Sequence, residues 1–317
     1  MIALIIGAAG FVGKHLIKHL QENSDWTIFV TKLSHEHLDV KDIEIVDLDI
    51  LDYTSVQDLL TNLNPDYIFH LAAQSSVSIA WNQPALTVDI NIKGVINLLE
   101  AVRHSAGQPR VLLIGSGEEY GYVSPEDIPI KEETPLRPGN IYAGTKVAQG
   151  IMGQVYAKAY GLEIIIVRAF NHIGPGQSDT FVLPNFCKQI AMIETGLIPP
   201  VIKVGNLEAQ RDFADVQDIV RAYRLLAEKG ESGAIYNVGS GKAISIAELL
   251  NKLLSLTKAD ISIEKDPSRM RPSDVPLIKA NISKLSAQTG WKPEVQIEQT
   301  LSNILNEWRT AIKQGYF

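Results

Sequence analysis

Residues 2–13, Ile-Ala-Leu-Ile-Ile-Gly-Ala-Ala-Gly-Phe-Val-Gly, constrain the fold more than any other stretch of the chain. The short apolar run has the texture of a buried parallel strand, and Gly7, Gly10 and Gly13 have the spacing of a turn that opens a helix. Gly7 permits the sharp turn, Gly10 lets backbone N–H groups approach a pyrophosphate, and Gly13 lets the helix lie close on the strand. The phosphates of a dinucleotide would then sit at a positive helix end, against the turn that continues through Phe11 and Val12.

The 317 residues suffice for one large α/β unit or two unequal lobes. A net charge of −7 offers no basic surface to nucleic acid, and no apolar run approaches the roughly 20 residues that span a bilayer. These features favour a protein acting on small molecules. The N-terminal residues enter a strand directly, without the regions of a secretory leader, and the only cysteine, Cys187, has no disulfide partner. A reducing, cytoplasmic setting is expected.

Strand and helix patterns alternate downstream. Helices are expected at Phe11 to Gln21, Thr54 to Leu63, Pro84 to His104 and Tyr142 to Tyr160, the last ended by Gly161. Strands are expected at Trp26 to Val30, Ile43 to Val46, Tyr67 to Ala73, Arg110 to Gly115 and Glu163 to Arg168. Such alternation, with right-handed crossovers, gives an α/β fold with a doubly wound parallel sheet, the Rossmann arrangement. Beyond residue 170 prolines and glycines increase and elements shorten, as in a smaller, discontinuous C-terminal lobe. The expected division is a dinucleotide-binding domain over 1–170, with return segments around 211–240, and an interleaved substrate lobe over 171–317. The helix Asp215 to Lys229 and the strand Ala234 to Val238 are the candidates for return, residues 264–276 read as an ordered loop, and Ile297 to Ile312 reads as a helix with Leu301, Ile304, Leu305 and Trp308 at core spacing.

Tyr142-Ala-Gly-Thr-Lys146 places a phenol and an ammonium four residues apart, on one face of a long helix. A phenol titrating near 10 is a weak acid or base at neutral pH, and a nearby ammonium favours its phenolate. Ser116 follows the strand Val111 to Ile114, at the carboxyl end where ligands bind in parallel sheets. Its hydroxyl is placed to hold a carbonyl for protonation by Tyr142.

The glycine spacing, Ser116, the Tyr142/Lys146 pair and the turn Leu71-Ala72-Ala73 resemble the extended short-chain dehydrogenase/reductases over essentially the whole chain. The resemblance implies NAD(P) on the N-terminal lobe, a nucleotide-sugar site on the C-terminal lobe, and a homodimer formed through a four-helix bundle that includes the helix of Tyr142. It also gives Lys146 a bond to the nicotinamide ribose and Ser75 a place beside the cofactor. Within the family the finer similarity is to enzymes acting on GDP-linked hexoses. Arg168-Ala-Phe-Asn-His-Ile-Gly-Pro-Gly-Gln177 looks like the loop that, in those enzymes, sets Asn171 against the substrate and His172 against the cofactor. Arg211-Asp-Phe-Ala-Asp-Val216 and Arg271-Pro-Ser-Asp274 are similar to segments that supply two arginines for the diphosphate and an acid for the ribose. Val182 and Lys188 fall where such enzymes grip the nucleotide.

Cofactor choice and reaction both stay open in the sequence. An acid at the end of the second strand would hold the ribose 2′-hydroxyl of NAD, whereas the chain has Val30-Thr31-Lys32, which leans toward NADP(H) with NAD(H) also possible. Asp49-Ile50 resembles the pair that holds adenine. In Ser116-Gly117-Glu118 the glutamate matches the base of the family's 4,6-dehydratases, but Gly117 offers no side-chain donor for a departing hydroxyl. The expected reaction is therefore reduction of a GDP-4-keto-6-deoxyhexose to GDP-D-rhamnose, with dehydration of GDP-mannose or epimerisation at carbon 4 as the alternatives and a non-catalytic NADP-sensing protein as the reading from another class. No metal is expected: His15 and His19 are four apart, yet the apolar face of Leu16, Ile17 and Leu20 should turn both toward solvent. His70 reads as an interior histidine with its hydrogen bonds satisfied, and Cys187 as a small buried hydrophobe.

Overall fold

The computed structural model describes residues 1–269 and 275–316. In chain order its strands are β1 (Ile2–Ile6), β2 (Thr27–Lys32), β3 (Glu44–Asp47), β4 (Tyr67–His70), β5 (Arg110–Ser116), β6 (Ile164–Ala169), β7 (Asn171–Ile173), β8 (Val201–Val204), β9 (Gln210–Asp215), β10 (Ile235–Val238), β11 (Ala243–Ser245) and β12 (Ser262–Lys265). Seven of them form one parallel sheet in the order β10-β6-β5-β4-β1-β2-β3. The order reverses between β1 and β4, the switch point at which open α/β sheets bind ligands beyond their carboxyl ends. β6, Ile-Ile-Ile-Val-Arg-Ala, is buried along its whole length, which is why it carries an unbroken apolar run rather than an alternating one.

The helices are α1 (Phe11–Asn23), α2 (Tyr53–Leu63), α3 (Val77–Asn82), α4 (Pro84–Val88), α5 (Gly94–His104), α6 (Ile141–Tyr160), α7 (Val182–Glu194), α8 (Val216–Lys229), α9 (Ile246–Leu254), α10 (Ser283–Thr289) and α11 (Ile297–Lys313). On one sheet face α1 and α8 pack Leu16, Ile17, Leu20, Ile219, Tyr223 and Leu226 against β1, β2, β5 and β6. On the other, α2, α5 and α6 cover Leu4, Ile6, Ile68, Val111, Leu113, Ile164 and Ile166. Each fully buried aliphatic side chain of this kind contributes roughly 1.5–3 kcal/mol of transfer free energy. Residues 171–316 supply a separate apolar cluster from α7, α9 and α11, with β8 and β9.

Local chemistry sets the helix ends near the carboxyl edge of the sheet. Asn140 caps α6 by accepting from the Ala143 N–H at 2.8 Å, and Gly161, at φ +69°, ends it in the left-handed conformation. Asp215 caps α8 by accepting from the Gln217 N–H at 2.7 Å.

Several elements differ from the sequence-based expectation. The run 84–104 is helical but interrupted by a π-turn at Asp89–Lys93, which rotates Asn91 inward. The mixed sequences of β7, β9 and β11 form a three-stranded sheet, and β8 pairs with β12, so residues 264–265 are strand rather than loop. His19 is buried instead of facing solvent, because α8 lies against α1 and brings Arg221 and Arg224 near it; burial, with those cations, lowers its pKa to about 4. His15 is half-buried and hydrogen-bonds the Pro175 carbonyl and the Gln217 amide, each at 2.8 Å. No group of three metal-ligating side chains occurs among the described residues, nor any helix long and apolar enough to cross a membrane.

Candidate active site

The carboxyl end of β5 stops at Ser116, whose hydroxyl accepts from the Glu118 N–H at 3.2 Å and caps the one-turn 3-10 helix Gly117–Tyr120. That cap holds the Ser116 side chain at the sheet edge, close enough to the phenol of Tyr142 at the start of α6 to lower its pKa. One turn further, the Lys146 ammonium enters the same edge from above, donating to the Ile114 carbonyl at 2.7 Å and to Gln149 Oε1 at 3.0 Å. Ser116, Tyr142 and Lys146 therefore converge at one strand end.

Electrostatics distinguish the two titrating groups. Burial pushes the Tyr142 phenol up to about 12 against the pull of the Ser116 hydroxyl, and the carboxylates of Glu119 and Glu118 push the same way. Lys146 is not among the groups that shift Tyr142, so without an oxidised nicotinamide beside it the phenol is protonated at neutral pH. Burial lowers the Lys146 pKa to about 8, with Glu119 opposing. Glu118 is half-buried, and the Asn140 amide donates to its carboxylate at 3.4 Å. A Cβ on Gly117 would come 3.2 Å from the Phe170 ring, a tight contact that would make the ring shift by a few tenths of an ångström.

The glycine turn fits a dinucleotide diphosphate. Gly7 sits at φ +83°, where a Cβ would lie 2.6 Å from the Ala72 backbone, and a Cβ on Gly13 would lie 2.3 Å from the Ala8 carbonyl oxygen. At the helix start, by contrast, Gly10 is exposed, the nearest atom to a Cβ there is 3.6 Å away, and no side chain caps α1. The first N–H groups of α1 thus face open space at a positive helix end. Phe11 and Val12 begin that helix, and Leu71, Ala72 and Ala73 continue from β4 beside β1, with Ser75 exposed beyond them. At the end of β2, Thr31 is buried and its hydroxyl accepts from the Gly7 N–H, whereas Lys32 is paired with Asp47 at 2.6 Å. Asp49 is exposed, and Ile50 is buried against Gly94.

The remaining sequence candidates among the described residues lie on β7, α7 and β9. Asn171 is exposed, while His172 stacks parallel to Phe11 at 6.1 Å, its Nδ1 bonded to the Phe170 carbonyl. This stack joins the first turn of α1 to the loop after β6. Val182 opens α7 on the surface, and Lys188 is engaged by Asp179 at 2.8 Å and lies over the Trp308 ring. Arg211 is half-buried on β9 and donates to the Gln210 carbonyl. Arg271 and Asp274 lie outside the described residues.

Sequence reasoning missed an inner layer beneath these groups. Asn91, turned inward by the π-turn, joins Gln74 to Thr145 of α6, and Thr145 in turn donates to the Tyr142 carbonyl. Glu119, Arg168 and Gln149 are likewise buried under the site. A buried asparagine in the middle of an expected helix, or a second glutamate beside a first, carries no periodic signal.

With this geometry in place, comparison with known proteins is specific. The sequence model of the GDP-mannose 4,6 dehydratase family matches residues 4–304. GDP-6-deoxy-D-mannose reductase of Pseudomonas aeruginosa is 37% identical over 98% of each chain. The structure of the P. aeruginosa protein RMD complexed with NADPH superposes with a TM-score of 0.87 at 37% identity, covering 97% of this chain and 99% of that one. GDP-mannose 4,6 dehydratase 1 of Arabidopsis thaliana is 29% identical over 96% of this chain and 89% of its own. With its seven-stranded parallel sheet, glycine turn and converging serine, tyrosine and lysine, this chain belongs to the GDP-mannose 4,6-dehydratase family of extended short-chain dehydrogenase/reductases.

Proposed function

We propose that the protein reduces the 4-keto group of GDP-4-dehydro-6-deoxy-D-mannose to give GDP-D-rhamnose, using NADPH and accepting NADH. The observation that carries this reading is a protonated phenol, a serine hydroxyl and an ammonium meeting at the end of β5, beside a Gly117 that supplies no hydroxyl. The 37% identity to a protein named for this reduction supports it.

A bound reduced nicotinamide supplies the hydride that adds to carbon 4 of the sugar. The chain's own residues do the rest. Ser116 donates a hydrogen bond to the ketone oxygen, Tyr142 delivers its proton to that oxygen as negative charge develops, and Lys146 stabilises the phenolate left behind. Tyr142 is protonated over the whole neutral range, and because burial makes it a weaker acid, stabilisation of the developing phenolate by the Lys146 ammonium is what lets it give up that proton. Gly7, Gly10, Phe11, Val12 and Gly13 would cradle the diphosphate of the cofactor, Thr31 and Lys32 its adenosine ribose, Asp49 and Ile50 its adenine, and Leu71, Ala72, Ala73, Ser75, Lys146 and His172 its remaining parts. On the other side of the cleft, Asn171, Val182, Lys188, Arg211, Arg271 and Asp274 would hold the nucleotide sugar; arginine forks suit its diphosphate in a protein of net charge −7.

In this reading residues 1–170, with return segments around 211–240, form the cofactor domain, 171–317 form the interleaved substrate lobe, and the protein works as a cytoplasmic homodimer. Glu118 keeps a second reading in play, dehydration of GDP-mannose, since its carboxylate faces Tyr142. Product analysis by NMR separates the two. The protein is incubated with NADPH and either GDP-mannose or its 4-keto-6-deoxy derivative. GDP-D-rhamnose from the ketone supports reduction; a 4-keto product from GDP-mannose, with no net cofactor oxidation, would replace it with dehydration.

A further inference from the structure

The carboxylate of Glu119 is fully buried directly beneath the catalytic edge, and no step of the proposed reduction uses it. Its Oε1 accepts from the Ser116 N–H at 2.8 Å, and its Oε2 accepts from Arg168 Nε at 2.8 Å. The same carboxylate lies against α6: a Cβ on Gly150, one turn beyond Lys146, would stand 3.9 Å from its Oε2. It therefore touches the end of β5, reaches β6 and faces the helix that carries Tyr142 and Lys146.

Its partner is held as firmly. Arg168 is buried, donates to the Tyr120 hydroxyl at 3.0 Å and to the Glu132 carbonyl at 2.9 Å, and lies over the Tyr120 ring. Tyr120 donates to Asn237 on β10 at 2.6 Å. A buried ion pair recovers its desolvation cost only with good geometry and further hydrogen bonds, and replacing one with apolar residues often stabilises a fold. This pair has the hydrogen bonds, and its placement gives it something to do besides packing.

We propose that Glu119 is a positioning residue for the reduction: it fixes the backbone of Ser116 and, paired with Arg168, presents its carboxylate to the helix that carries Lys146, so that hydroxyl and ammonium are both set before substrate arrives. This rests on the reductase reading for its chemistry. Among the described residues His70 at the end of β4 and Tyr142, one turn earlier on α6, are titratable groups near Lys146, Glu118 acts on Tyr142, and Arg168 acts on Glu119, whose pKa burial raises against the pull of Arg168, the Ser116 N–H and Lys146. Of these, Glu119 is the one that favours the ammonium, and it also disfavours the Tyr142 phenolate. Removing its charge lets both protons leave at lower pH.

The test is Glu119→Gln beside Glu119→Asp. In the glutamine variant the alkaline limb of kcat/KM for ketone reduction should move about one pH unit lower. The loss of NADPH affinity with rising pH, followed by nicotinamide fluorescence without sugar, should move with it. In the aspartate variant, which keeps the charge on a shorter arm, both limbs should stay near the parent position even if the protein melts earlier. Should Glu119→Gln fail to fold, the paired variant Glu119→Gln/Arg168→Gln leaves no unpaired buried charge and is expected to shift the limbs in the same direction. A folded variant lacking the carboxylate but with both limbs unmoved would overturn the proposal, as would equal shifts with glutamine and aspartate. If the parent enzyme turns over no 4-ketone, it is the reductase reading that fails, and the NADPH titration still decides the role of Glu119.

Discussion

The Lys146 ammonium lies 2.7 Å from the carbonyl oxygen of Ile114, two residues before Ser116 on the same strand. This bond ties α6 to β5 and sets the distance between the Tyr142 phenol and the Ser116 hydroxyl. Its cost is a buried charge. Burial lowers the pKa from 10.5 to about 8, so between those values the unfolded chain holds more protons and stability rises with pH. At pH 7 both states are protonated, and the full penalty, roughly 3 kcal/mol, is present. Lys146→Met is therefore expected to melt no lower than the parent at pH 7 while losing activity about a hundredfold or more. Thermal unfolding and steady-state kinetics on the same preparation check both halves.

Tyr142→Phe removes the proton donor and leaves the ring. We expect kcat/KM for the 4-ketone to drop by about 10² to 10⁴, the usual worth of a general acid, with a far smaller change in NADPH affinity. Comparable losses in the two quantities would mean that the phenol serves binding rather than proton transfer.

Lys32 meets Asp47 at 2.6 Å, in register at the ends of β2 and β3. A 2′-phosphate at this edge must draw the ammonium from a carboxylate, which tempers any preference for NADPH. Lys32→Asp should shift the ratio of catalytic efficiencies toward NADH by about tenfold, the effect of about 1.4 kcal/mol. Asp47→Asn, which frees the lysine, should shift it the other way. A ratio indifferent to both changes would remove Lys32 from cofactor recognition.

His70 is buried at the end of β4 as its sequence suggests, but its hydrogen bonds are not satisfied: neither ring nitrogen has a partner among the described residues. Burial, with Lys146 nearby, lowers its pKa from 6.5 to about 3. As pH falls below 6.5 the unfolded chain takes up a proton that the folded chain refuses, so stability is lost on acidification. Between pH 7 and pH 5 this group removes about 2 kcal/mol. His70→Leu should shrink the fall in the urea-derived stability between those two pH values by about that amount.

Arg271→Ala should weaken nucleotide-sugar binding and spare the cofactor, if its segment grips the diphosphate. Titration of each ligand separately reads this directly, and equal weakening of both would remove Arg271 from the substrate side.

The parts of the molecule legible in the sequence were those whose signal is local. The glycine turn, the uninterrupted apolar run of β6 and the four-residue step from Tyr142 to Lys146 each announce a backbone geometry within a dozen residues. Those that were missed depend on contacts between distant segments. β9, Gln-Arg-Asp-Phe-Ala-Asp, has no alternation to mark it as a strand, because its partners β7 and β11 are supplied by the fold. His19 is buried by α8, some two hundred residues away in sequence, and nothing near it in the chain reveals this. Glu119 reads as another loop carboxylate until Arg168, from the neighbouring strand, is placed 2.8 Å from it.

The return of the chain to β10 has a consequence for dissecting the molecule. After β6 the polypeptide departs to build the smaller sheets, then threads back so that Ile235–Val238 closes the otherwise bare flank of Ile164–Ala169. A fragment severed just after Phe170 would leave six interior residues as a sticky border with unsatisfied peptide groups, an invitation to self-association. The N-terminal half is thus not a module that can be cut free with scissors: the rest of the chain supplies the hem that keeps it from fraying into aggregates.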